Sequence, residues 1–135
     1  MAKKKSLKTL IKETEERSSE FGMYQVNDSS NPVLLDLFPG ATGQSAVTTI
    51  QLEKTTLLKE AVGSLENFEV GKNNALNGLE MTIYTLVTDV STDTDLTSLD
   101  MTLRGGVADY SIHLKRTVQS QGDSVGYEIS ILFYQ

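Results

Sequence analysis

Between Leu79 and Tyr134 the chain alternates apolar and polar side chains in four successive runs, separated by turns rich in Gly and Asp. Period-two alternation puts every second side chain on one side of an extended strand, so each run predicts a strand with a buried face. The predicted inward rows are Leu79, Met81, Ile83, Thr85 and Val87; then Leu99, Met101 and Leu103; then Tyr110, Ile112 and Leu114; and last Val125, Tyr127, Ile129, Ile131 and Phe133. Tyr84 and Leu86 lie on the opposite side of the first row, which predicts cover on both faces of that strand. Gly105-Gly106 and Gln121-Gly122-Asp123 supply turns.

Upstream, Val47 to Glu53 is Thr-rich and β-branched, with Ile50 and Leu52 facing the same way, and Glu66 to Lys72 alternates around Phe68 and Val70. Thr55 to Val62 suits either a strand or one helical turn, because its apolar spacing fits both periods. Asn73-Asn74 and Asn77-Gly78 are turn signals.

The first 45 residues read differently. Leu7, Leu10, Ile11 and Phe21 recur at near-helical spacing, which predicts a helix from Ser6 to Phe21, with Ser6 as N-cap and Gly22 as the stop. Its charges oppose the helix dipole, with lysines at the start and Glu13, Glu15, Glu16 and Glu20 towards the end, so it needs a surface to dock on. From Met23 to Ser45 the pattern predicts irregular chain containing a short apolar run, Val33 to Phe38. The resulting expectation is an all-β, antiparallel β-sandwich of about seven strands over residues 46–135, immunoglobulin-like in architecture. Residues 1–45 form an N-terminal helix and an irregular interaction arm in that reading.

At 135 residues the chain is long enough to bury a core without cross-links. The absence of Cys excludes a disulfide framework and thiolate metal sites, and it suits a reducing compartment. No apolar run approaches the ~18–20 residues that cross a bilayer as a helix, and the basic start lacks the apolar stretch of a secretory signal. A cytoplasmic protein, or one within a particle assembled there, is the default reading. Charge is unevenly spread: five lysines fall in the first twelve residues, leaving seven basic residues against all 18 acids in the remainder. An acidic body disfavours general nucleic-acid binding, whereas the basic arm suits an acidic partner.

Among candidate sites, Asp89, Ser91, Asp93, Asp95 and Asp100 resemble the oxygen ligands of a calcium loop in their spacing. Thr94 stands where the loop's sharp turn needs Gly, the twelfth position is Asp instead of a bidentate Glu, and no helices flank it. An ordinary acidic loop fits better. Asp109, Ser111, His113 and Lys115 share a strand face. Residues two apart on a strand are ~7 Å apart at the backbone, too far for the Ser–His bond of a triad. The segment from Pro39 to Ser45 lacks both the Lys and the first Gly of a phosphate loop.

With no catalytic signature, the expected function is that of a non-enzymatic structural or interaction protein. It would be a subunit of a homo-oligomeric or larger assembly, such as a phage-particle or secretion-machine component, with protein partners and no cofactor. The expected contact residues are Lys3, Lys4, Lys5, Leu7, Leu10 and Ile11 in the arm, and Leu34, Leu35, Leu37 and Phe38 in the apolar run, together with the last strand at a sheet edge. The alternatives are a small calcium- or ligand-binding β-domain and, third, a hydrolase with dispersed carboxylates.

Overall fold

Strict alternation survives into three dimensions where it was clearest. In the computed structural model, which describes residues 5–14, 16–39, 44–89, 96–117 and 124–135, Thr97, Leu99, Met101 and Leu103 are buried while their neighbours face outward. Val125, Tyr127, Ile129, Ile131 and Phe133 are fully buried in the same way.

The elements in chain order are α1 (Leu7–Glu13), β1 (Glu16–Gln25), β2 (Pro32–Pro39), β3 (Gln44–Leu52), β4 (Thr55–Val62), β5 (Leu65–Lys72), α2 (Asn73–Leu76), β6 (Glu80–Asp89), β7 (Leu96–Arg104), β8 (Tyr110–Thr117) and β9 (Ser124–Tyr134). They build a five-stranded sheet, β1-β9-β6-β3-β4, and a four-stranded sheet, β5-β2-β7-β8. The apolar rows of both sheets meet in a single core, so the protein is an all-β, sandwich-like fold. Nine strands replace the expected seven or so among the described residues. All strand pairs are antiparallel except β1 with β9, which run parallel over ten registered residues.

Two expectations for the N-terminal region are corrected. The helix stops at Glu13 instead of reaching Phe21, and Gly22, the expected stop, lies within β1. Ser6 is the N-cap as expected, its hydroxyl accepting the Thr9 N–H at 3.2 Å. Thr14 closes the helix, with its N–H on the Ile11 carbonyl and its hydroxyl donating to the Leu10 carbonyl at 2.7 Å. Beyond it, Ser18, Ser19 and Gly22 are weak helix formers, and the ladder offered by β9 outweighs the remaining local preference.

The second correction concerns the segment expected to be irregular. β2 occupies an interior position between β5 and β7, with Val33, Leu35 and Leu37 fully buried. Pro32 and Pro39 punctuate its ends, and Asp36 stands between Leu34 and Phe38 on the outward face. The last strand is corrected too: β9 lies between β1 and β6, not at an edge.

Polar groups inside the fold are paired. Thr48 and Thr85 hydrogen-bond at 2.9 Å, while the Thr97 hydroxyl donates to the Arg116 carbonyl and accepts from Tyr127 at 2.6 Å. Burial holds the Tyr127 phenol above its usual range, so it stays a neutral donor. Asn73 is buried at the end of the sandwich and ties three loops together. Its amide donates to the carbonyls of Asn31 (2.8 Å) and Gly105 (2.9 Å) and accepts the Asn27 N–H (3.1 Å).

Candidate interaction surface

The outer face of the five-stranded sheet is divided between a covered half and an open half. α1 lies over the covered half, burying Leu7 and Ile11 against Tyr84, with Val47 and Leu86 packed beside them. This is the cover that Tyr84 and Leu86 required. Gly126 on β9 makes the close approach possible, because a Cβ there would stand 2.7 Å from Ile11 Cγ2.

Between the start of α1 and the β3–β4 ribbon this packing leaves a cleft of about 320 Å³. Lys5, Ser6 and Lys8 border it on the helix side and Thr56 and Lys59 on the strand side; Glu60 is the acid on its rim. Tyr84 forms part of the floor, its ring centroid 6.0 Å from Lys8 Nζ. Burial first, and then the hydrogen-bonded Glu128 carboxylate, raise the Tyr84 pKa above the ordinary phenol value. It is therefore an uncharged hydroxyl throughout the physiological range.

The open half carries Phe21 and Met23 of β1, 58% and 48% exposed, next to half-buried Leu132 and exposed Tyr134 of β9. Register places Met23 beside Leu132 and Gln25 beside Tyr134, so these side chains form one apolar row along the rim of the sheet. β1 is also an edge strand. The Val26 N–H reaches inward to Tyr134 of β9, whereas the Gln25 carbonyl points the other way and accepts from Val107. Backbone groups alternate in direction along a strand, so those of Ser19, Phe21 and Met23 face the open edge.

The other three edges carry interruptions. β4 pairs with β3 through register shifts and holds Glu60 at a φ of 48°. β5 pairs irregularly with β2 and holds Asn67 at a φ of 55°. β8 bears His113, Lys115 and Arg116. Bulges and charges of this kind block edge-to-edge pairing. β1 is registered without a shift, and Glu20 is its single charge between Ser18 and Gln25.

The residues singled out in the sequence distribute as follows. Leu7, Ile11, Leu35 and Leu37 are buried within the molecule and are not available to a partner. Leu10 and Leu34 are half-buried, and Phe38 is exposed on the outward face of β2. Lys5 pairs with Glu13 at 2.7 Å; Lys3 and Lys4 lie outside the described residues. Of the calcium-loop candidates, Ser91, Asp93, Asp95 and the Asp89 side chain also lie outside them. Asp100 sits on β7 opposite His113 and hydrogen-bonds its Nδ1. Among the described residues no group of three or more His, Cys, Asp or Glu is placed to hold a metal, and no helix is long and apolar enough to cross a membrane. Ser111 bonds Thr102 at 3.1 Å, and with His113 on Asp100 the two do not form a nucleophile–base pair.

Phe21 completes a near-helical stripe with Leu7, Leu10 and Ile11, which masks the β1 edge in the sequence. The Phe21-Gly22-Met23-Tyr24 alternation was the available signal. The class the geometry defines is a two-sheet, all-β, sandwich-like protein with one open edge and a small cleft beneath its N-terminal helix. Comparison with protein-family models, with curated proteins and with solved structures finds no match to this chain.

Proposed function

We propose that the protein is a non-enzymatic interaction protein that self-associates through β1, as a subunit of a homo-oligomeric or larger assembly. The observation that carries this reading is the β1 edge, registered without a shift, with Phe21 and Met23 exposed beside it and Glu20 the one charge between Ser18 and Gln25. A two-fold axis normal to the sheet would bring β1 of a second copy antiparallel to the first. Residues of equal parity would then face each other, so the two Phe21–Met23 rows would lie on the same side and cover one another. The docking element in this proposal is β1 rather than the residues around α1 and the Val33–Phe38 run, which serve the molecule's own core.

The immunoglobulin-like layout belongs to the same proposal. Nine strands divided into sheets of five and four match the variable-type count, while the parallel β1–β9 pair departs from an all-antiparallel sandwich. A cytoplasmic setting, or a particle such as a phage or secretion machine assembled there, fits a chain of 135 residues without Cys.

Light scattering coupled to size exclusion tests the self-association over a concentration series reaching about 100 μM, a range that captures weak homodimers. The expected result is a concentration-dependent dimer that the Phe21→Lys/Met23→Lys double substitution converts to a monomer with an unchanged far-UV spectrum. A wild-type monomer throughout the series, or a dimer indifferent to the two lysines, refutes the reading.

A further inference from the structure

The cleft beneath α1 lies on the same sheet as the β1 edge, but it poses a separate chemical question. The chain is acidic overall, with 18 acids against 12 bases. Yet three of its lysines, Lys5, Lys8 and Lys59, line one concavity, with Glu60 the single acid on its wall among the described residues. Lys5 is already paired with Glu13. Lys8 and Lys59 make no ion pair with any described residue, and both side chains are exposed. Lys8 and Lys59 outnumber Glu60 there, and an excess of positive charge in a cleft raises the local concentration of anions.

The strand side of the cleft is shaped for this role. β4 is bulged against β3, and Glu60, in the left-handed region at a φ of 48°, donates its N–H to the Thr49 hydroxyl at 3.0 Å. That hydroxyl accepts the Glu60 N–H and keeps one proton to donate, and Thr49 also lines the cleft. The bulge turns the chain next to Lys59, which lines the cleft together with Lys8. Thr56 and neutral Tyr84 complete a lining that offers ammonium and hydroxyl donors around a single aromatic face.

We infer that this cleft binds a small phosphorylated anion, with Lys8 and Lys59 meeting the phosphate oxygens and Thr49 and Thr56 donating to them. Lysine serves phosphate as a compact point charge, and a multiply charged phosphate makes better use of two ammonium groups than a single carboxylate does. The volume of about 320 Å³ is at the small end for ligand pockets and leaves room for an organic group beside the phosphate, against Tyr84 and Leu7.

The test is a titration of isotopically labelled full-length protein with pyrophosphate at constant ionic strength, followed through backbone amides, with acetate as the control anion. The expected result is saturable binding with a Kd below about 1 mM, shifting the amides of Thr49, Thr56 and Lys59, and no saturation by acetate. Lys8→Gln/Lys59→Gln is expected to weaken pyrophosphate binding about tenfold or more while leaving the far-UV spectrum unchanged. Gly126→Ala, which pushes the helical wall outward without removing a lysine, is expected to weaken it as well. Absence of saturation, equal binding of acetate, or unchanged affinity in the double-lysine variant would overturn the inference. None of these outcomes depends on whether β1 self-associates.

Discussion

Replacing Gly126 by Ala tests how α1 is held, and with it the helical wall of the cleft. Gly126 is not among the residues with positive φ, so its backbone tolerates a side chain and the constraint is purely one of space. A Cβ at this position would lie 2.7 Å from Ile11 Cγ2, 3.2 Å from Ile11 Cβ and 3.3 Å from Ile11 Cγ1. Carbon atoms attract best at ~3.5–4.0 Å, so α1 must retreat by about 1 Å or tilt. Overpacking of this kind costs about 1–3 kcal/mol. Complete release of the helix sets a ceiling, because burying Leu7 and Ile11 contributes about 1.5–3 kcal/mol each. Ala also recovers about 0.5–1 kcal/mol through lower unfolded-chain entropy. The net expectation is a loss of about 1–2 kcal/mol in urea unfolding, with faster hydrogen exchange confined to Leu7–Glu13 and their contacts. Combining Gly126→Ala with Ile11→Ala removes Cγ2, the nearest obstructing atom, and Cγ1, leaving only the Cβ at 3.2 Å, so the pair is expected to cost about 1 kcal/mol less than the sum of the single changes. A loss under about 0.5 kcal/mol with unchanged exchange in α1 would refute the account, as would strict additivity.

Two further outcomes follow from polar groups. Asn73→Ala leaves the Gly105 carbonyl and the Asn27 N–H without their partners, an expected cost of about 2–4 kcal/mol read from the urea midpoint. Asn73→Asp keeps the acceptor for Asn27 but aims a carboxylate at two carbonyls. Its folded-state pKa therefore rises above the unfolded value, and the variant gains stability as pH falls from 7 towards 4; a pH-independent loss would contradict this. On the outer face of the four-stranded sheet, the Arg104 guanidinium and then the Asn67 N–H hold Asp36 below its ordinary 3.8. A depressed carboxylate stabilises the fold above the unfolded pKa and loses that contribution as pH falls through the folded one. Wild type is thus expected to exceed Asp36→Asn in stability at neutral pH, with the gap closing below about pH 4. A gap that stays constant down to pH 2.5 would rule out the ion pair as its source.

Much of the fold was legible in the chain. The four rows from Met81 to Phe133 were readable because each strand has one face in the core, and burial of one face leaves a period-two trace in sequence. The Ser6 cap was readable for a similar reason: its hydrogen bond spans three residues and uses only local geometry. β2 was harder to recognise, because Leu34 and Phe38 on its outward face blur the alternation of Val33, Leu35 and Leu37.

What only the tertiary structure decided is where segments distant in sequence meet. The stretch from Glu16 to Gln25 becomes a strand because β9 supplies a parallel ladder from more than a hundred residues away, and local propensity carries no record of that partner. The same pairing moves the final strand from the edge to the interior and makes β1 the open edge. The cleft, too, is built from separate elements: Gly126 lets Ile11 approach the sheet, and Lys5 and Lys8 of the N-terminal segment line one concavity with Lys59 of β4. Side chains that share an element announce themselves through periodicity; those that converge from separate elements depend on long-range packing, for which the chain holds the parts but no visible spacing.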